Sequence, residues 1–172
     1  VQYLEEVAES YPRRPIRVGG HSKGGHLAVY AAVNCNKKVQ KRILQVYNND
    51  GPGFTPEFFA QEGYSRISDR IVTLVPESSI VGMLMEHEED YEVVCSSDKG
   101  LWQHVAFSWE VLGTSFVRAR EAAPEEKLYN QTLRETLAAM SADQRRDFIE
   151  ALYSLLTAGG DIGQLQDFWF EK

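Results

Sequence analysis

The sequence predicts an α/β fold: a parallel β-sheet with flanking helices, followed by a helical segment. Three observations carry this. Short apolar, β-branched runs recur at Ile16–Gly19, Ile43–Tyr47, Arg70–Val75 and Tyr91–Cys95, and stretches of helical spacing separate the first three. Strands alternating with helices are the pattern of crossovers between parallel strands. Dense turn signals close two of the runs, Asn48 to Gly53 after the second and Pro76 after the third. From Pro124 the composition shifts to helix formers.

Each element has its own warrant. Tyr3, Leu4, Val7 and Ala8 fall at helical spacing with Glu5, Glu6 and Glu9 outward, which predicts a helix over Val1 to Tyr11 ended by Pro12. Ile16 to Gly19 is a short buried strand, and a helix runs from the following turn to about Asn34. Val39 is assigned with Ile43–Tyr47 to the second strand. Pro56 to Gln61 is a short helix. Ser78 to Met85 is an apolar loop or short helix that packs the core and contributes to a pocket. Phe107–Val111 and Phe116–Val117 read as a sheet-edge strand or hairpin. In the tail, Leu133, Leu137 and Met140 form a helical stripe. Ser141-x-x-Gln144 is a capping box opening a helix with Phe148, Ile149, Leu152, Leu155 and Leu156 on one face. Gly159-Gly160 ends that helix, and Asp161 caps a last short turn carrying Leu165 and Trp169. The division is therefore 1–121 for the sheet domain and 122–172 for a helical appendage packed on it.

Composition narrows the function. With 172 residues, 43% hydrophobic and 25% charged, the chain is long enough for one core. A net charge of −7 argues against nucleic acid as a partner, because phosphate binding needs a basic surface. The local cluster Arg13, Arg14 and Arg17 reads as a solvated loop. Cys35 and Cys95 have neither metal-site spacing nor a disulfide framework, which suits a reducing, cytoplasmic setting. No apolar run approaches the ~20 residues of a membrane span.

The chemistry concentrates at Gly20-x-Ser22-x-Gly24, which follows a strand and opens a helix. In that context it is a nucleophile elbow: a serine on a sharp turn projects its hydroxyl above the sheet edge. The expectation is that Gly20 and Gly24, extended by Gly25, let the strand and helix backbones crowd together. A plain glycine-rich turn is the simpler reading. The backbone N–H of Lys23, at the start of the helix, is positioned to stabilise an oxyanion.

A serine hydroxyl needs a base, and the base needs an orienting group. The order serine, acid, histidine for such an elbow sets aside His21 and His26 by position. His87 lies in the charge run Glu86-His87-Glu88-Glu89-Asp90, which reads as solvated. His104 remains, flanked by Trp102 and Phe107, although a histidine beside aromatics is often structural. For the acid, Asp50 at the end of the second strand comes first and Glu77 after the third strand comes second. Asp98, or no acid at all, completes the set, and Asp50 also suits a plain turn cap.

Gly20-His21-Ser22-Lys23-Gly24-Gly25 resembles the elbow of class-three lipases, with Lys23 where leucine is usual. Gln103-His104-x-x-Phe107-Ser108-Trp109, Asp50-Gly51-Pro52-Gly53-Phe54 and the segment Val75 to Leu84 resemble a family of bacterial lipase-like α/β hydrolases of unassigned substrate. The likeness spans residues 1 to 121. It implies an α/β-hydrolase-like sheet whose first strands lie before Val1, with a second oxyanion donor on the same missing portion, so that this chain alone would be a poor enzyme. It also implies the base role for His104. Class-three lipases carry the acid in a D-I-V-P segment; the match here is Ser79-Ile80-Val81-Gly82, with serine in that slot. Asp50-Gly51-Pro52 resembles pancreatic-type lipases, whose acid sits one strand earlier. The implied activity is serine hydrolysis of an acyl or lipid-like carboxylic ester, with a small-molecule substrate and no metal or organic cofactor. A catalytically silent domain of the same fold, and a thioesterase or peptidase using the same triad, stay open.

Overall fold

The computed structural model describes residues 1–119, 132, 135–137 and 139–158. The chain forms two compact units, Val1–Arg134 and Glu135–Lys172. In the first, a four-stranded parallel sheet of β1 (Ile16–His21), β2 (Ile43–Asn49), β3 (Ile71–Pro76) and β4 (Tyr91–Val94) runs in sequential order. Parallel neighbours require crossovers. Helices α2 (Lys23–Asn34) and α3 (Lys37–Gln40) lie between β1 and β2, and α4 (Pro56–Phe59) and α5 (Glu62–Ser65) between β2 and β3. Helix α1 (Gln2–Ser10) precedes the sheet, and the two-residue strands β5 (Val111–Leu112) and β6 (Ser115–Phe116) form an antiparallel hairpin. The fold is thus mixed α/β, as the alternating pattern predicts.

Burial follows the helical and strand periodicities. Leu4 and Ala8 of α1 join Ala28, Val29, Ala32 and Val33 of α2, Ile43 and Val46 of β2, and Phe58 and Ile67 in one core. Tyr3, expected on that face, is exposed. Backbone carbonyls at helix ends, in the loop before β1 and at the start of β2 are taken up by arginine: Arg42 donates to those of Ala8, Tyr11 and Arg14, and Arg70 to those of Gln40 and Ile43. Arg13, Arg14 and Arg17 are exposed.

Two expectations are corrected. Val39 belongs to α3, not to a strand, because the Asn36 side chain accepts from the N–H groups of Lys38 and Val39 and caps a helical turn. In the second unit, the capping box forms: Ser141 N–H donates to Gln144 Oε1 at 2.9 Å and Gln144 N–H to Ser141 Oγ at 3.2 Å. It opens α6 (Ala142–Ala158), on which Leu152 is buried but Ile149 is exposed. Ile149 lies about 100° around the helix from Phe148, off the stripe that Phe148 shares with Leu152. The assignments for Leu133 and for residues 159–169 fall outside the described residues. Among the described residues no helix is long and apolar enough to cross a membrane.

The elbow glycines are not equivalent. A Cβ on Gly20 would collide with the Gly24 carbonyl, and one on Gly25 with the Asn48 side-chain oxygen. A Cβ on Gly24 would meet nothing within 4 Å. The close approach therefore runs from Gly20 of β1 to the first turn of α2, with Gly25 rather than Gly24 against β2.

After β3 the chain turns back over the sheet. Val81, Met83 and Leu84 are buried, as expected for packing, and Phe54 forms an antiparallel bridge with Glu86. The charge run that follows is not solvated throughout. Glu86, Glu88 and Asp90 are exposed, whereas the side chains of His87 and Glu89 are only 6% and 10% exposed. Glu89 accepts from Thr73 Oγ1 of β3 at 2.6 Å and lies 3.2 Å from His87 Nδ1; the Tyr64 hydroxyl of α5 donates to it at 3.3 Å. Burial by itself would raise the Glu89 pKa, but hydrogen bonds from His87, Thr73 and the backbone prevail and hold it at about 2 instead of the ordinary 4.5. The Tyr64 phenol is pushed up by burial and by the charges of Glu89 and Glu88.

Two outcomes follow from these contacts. Gly20→Ala and Gly25→Ala should each cost about 2 kcal/mol or more in chemical denaturation, whereas Gly24→Ala should change stability by less than about 1 kcal/mol. A carboxyl whose folded pKa is depressed stabilises the fold above its unfolded value and loses that contribution as pH falls through the folded one. The Glu89 contribution, on the order of a few kcal/mol, should therefore be complete above about pH 5 and vanish toward pH 2. Glu89→Gln should flatten the stability–pH curve in that window, as measured by urea unfolding at successive pH values.

Candidate functional site

Strand register builds the site. His21, the last residue of β1, pairs with Asn49, the last of β2. Ser22 and Asp50 are therefore the first residues beyond two adjacent strands, at one edge of the sheet. Both have positive φ without being glycine: Ser22 at φ 56°, ψ −131°, and Asp50 at φ 50°. Ser22 is the N-cap of α2, and its carbonyl accepts from the N–H groups of Gly25 at 2.9 Å and His26 at 3.3 Å. Its own N–H donates to the Asn49 carbonyl at 2.9 Å, and Asp50 N–H donates to the Leu74 carbonyl of β3 at 2.7 Å. Backbone bonds to the neighbouring strands thus hold both turns.

Asp50 is fully buried. Its Oδ2 lies 2.7 Å from Nδ1 of His104, the last residue of a 3₁₀ turn over Gly100–His104. A carboxylate there requires the Nδ1–H tautomer, which leaves Nε2 as the basic nitrogen of the neutral ring. Asp50 Oδ1 accepts from Ser79 Oγ and from Gly82 N–H, the latter at 3.1 Å, and Gly82 N–H also lies 2.9 Å from Ser79 Oγ. A Cβ on Gly82 would collide with Asp50 Oδ1, so only glycine brings its amide this close.

His104 is anchored from several sides. His21 Nε2 donates to the His104 carbonyl at 2.6 Å, and the two rings sit 4.6 Å apart. Desolvation of the ring, then the proximity of His104, lowers the His21 pKa, although the residue as a whole is exposed. Gln103 accepts from Ser78 N–H at 2.7 Å and donates to the Asp98 carbonyl at 3.0 Å, and Trp109 Nε1 donates to the Gln103 carbonyl at 2.8 Å. Trp102 is 52% exposed and Phe107 97% exposed, so apolar surface flanks the buried imidazole.

The structure thus brings Asp50 and His104 into contact, with the His104 ring tilted 37° against that of His21, the residue preceding Ser22. Lys23 is exposed at the first position of α2. Glu77 lies one residue beyond β3, and its charge bears on the Cys95 thiol, whose pKa burial and then Glu77 push up. Asp98 is exposed and accepts Gln103 through its carbonyl. His26 stacks on Phe54 at 4.1 Å, with Nδ1 against the Pro52 and Gly53 carbonyls, a packing position. Sequence reasoning treats Ser79 only as a vacant acid slot and does not single out Gly82. The Ser-x-x-Gly spacing is the signal that a side chain and an amide could converge there. Among the described residues no group of three or more His, Cys, Asp or Glu could hold a metal ion.

No curated protein and no solved structure matches the chain significantly. The sequence pattern of the Mbeg1-like family matches residues 1–154. That match takes in the sheet, Ser22, Asp50 and His104, and more than half of the 172 residues, so the chain belongs to the Mbeg1-like family.

Proposed function

We propose that this chain carries the catalytic groups of an α/β-hydrolase-type serine hydrolase that cleaves a carboxylic ester of acyl or lipid-like character. The observation that supports it most is the buried Asp50–His104 contact at the sheet edge that also carries Ser22 on a positive-φ turn. In this reading the Ser22 hydroxyl attacks the ester carbonyl while His104 Nε2 takes its proton. Asp50 holds the tautomer and balances the imidazolium that forms. The negative oxygen of the tetrahedral intermediate receives the Lys23 N–H at the positive end of α2. Collapse expels the alkoxide, which takes the proton from His104, and water then releases the acyl group by the same route. The exposed Trp102 and Phe107 beside His104 offer apolar surface to an acyl chain, which favours the ester over a charged substrate.

A fluorophosphonate probe should label the folded protein, and Ser22→Ala should abolish the labelling; labelling that survives Ser22→Ala would refute the assignment. Absence of labelling in a folded wild type points instead to a catalytically silent domain. Ester, thioester and amide panels separate the acyl classes, with ester turnover expected to be fastest.

His104→Ala should slow turnover by about 10³-fold or more, because the base is lost while the pocket remains. Asp50→Asn should cost about 10³–10⁴-fold, since the amide no longer fixes the Nδ1–H tautomer, whereas Glu77→Gln should cost less than about threefold. A large loss confined to Glu77→Gln would move the acid to the end of β3.

A further inference from the structure

We propose that His87 is a positioning residue for the Asp50–His104 pair, holding Gly82 where its amide N–H reaches Asp50. This rests on the roles given above to Asp50 and His104. His87 is a buried histidine that the proposed chemistry does not use. Its Nε2 lies 2.8 Å from the Gly82 carbonyl and its Nδ1 lies 3.2 Å from Glu89 Oε1. A carbonyl only accepts, so Nε2–H donates to Gly82. Gly82 in turn donates its N–H to Asp50 Oδ1 at 3.1 Å. Glycine has the widest backbone freedom of any residue, so its place in the 3₁₀ turn Val81–Met83 needs an external hold. His87 supplies that hold on the carbonyl side, and Asp50 and Ser79 receive the result on the amide side.

The surroundings of the ring fit this role. Glu89, the carboxylate that faces it, is itself fixed by Thr73 of β3 and Tyr64 of α5. Glu86, Glu88 and Asp90 flank it in the chain but are exposed, and Asp50 lies on the far side of Gly82. The chain of contacts thus runs from the middle of β3 through Glu89, His87 and Gly82 to Asp50, the carboxylate hydrogen-bonded to His104.

Asparagine and glutamine separate the two bonds of the ring. In the His87→Gln variant the side-chain amide nitrogen would fall near the place of Nε2 and keep the donor to Gly82. In the His87→Asn variant it would fall near Nδ1 and keep the donor to Glu89. The experiment compares His87→Ala, His87→Asn and His87→Gln by ester kinetics, thermal unfolding, and the downfield proton resonance of His104 Nδ1–H. His87→Ala and His87→Asn should lower kcat about tenfold with KM within about twofold, and should broaden the resonance through faster exchange. His87→Gln should keep kcat within about threefold of wild type and a sharp resonance, although it is less stable than His87→Asn for want of the Glu89 bond. Activity and stability would then rank these two variants in opposite orders. The proposal is overturned if His87→Asn restores the resonance and kcat better than His87→Gln, or if His87→Ala leaves both unchanged. Should the wild type hydrolyse no ester, the resonance still decides the role of His87, so failure of the hydrolase reading and failure of this one are distinguishable.

Discussion

A carboxylate with none of its surface in water is the constraint from which the rest of this structure can be derived. An ionised Asp50 left unpaired at that depth would cost many kcal/mol, so the chain must deliver hydrogen-bond donors to both of its oxygens. One oxygen receives the His104 imidazole from a 3₁₀ turn after β4; the other receives the Ser79 hydroxyl and the Gly82 amide from the segment after β3. Those partners come from sites 29, 32 and 54 residues away, which a short local turn could not assemble. The parallel sheet makes the meeting possible, because it brings the ends of β1, β2 and β3 to one edge. Gln103, Trp109 and His21 then hold the backbone around His104, so that its ring meets the acid without a search.

Much of this is legible in the sequence, and the parts that are not have physical reasons. The four strands show as short apolar, β-branched runs because such residues suit a pleated, partly covered surface; β3 is covered throughout, whereas β1 alternates half-buried and exposed positions. The elbow is legible because its spacing reports a backbone requirement. Yet the structure assigns that requirement to Gly20 and Gly25 and leaves Gly24 open, a distinction only the angle between β1 and α2 can make. Val39 misleads because an apolar residue near a strand looks like part of it, while the capping side chain of Asn36 sits three positions away. His87 and Glu89 mislead when a run of charges is counted as a block. Read residue by residue, the segment alternates exposed and covered from Glu86 to Asp90, the period of an extended chain, which puts the imidazole and one carboxylate on the same inward side.

The three candidate groups differ in how much their surroundings constrain them. Asp50 is fixed by its neighbours at both oxygens, and His104 through ring and backbone. Ser22 is fixed chiefly through its peptide, tied to Asn49 on one side and to the first turn of α2 on the other. Under the proposed reading, such a division suits a nucleophile whose hydroxyl has to exchange partners while its base and acid stay in place.

The backbone at Ser22 carries a consequence for sequence drift. At φ 56° and ψ −131° a side chain is under strain on the order of 1–3 kcal/mol, and glycine would relieve it. On backbone grounds alone, a chain selected only for keeping this fold would gain by having glycine there. Asp50 is a weaker witness, because aspartate tolerates left-handed backbone better than most residues. Under the proposed reading, the strained turn at Ser22 is a cost that the fold bears for the hydroxyl it carries.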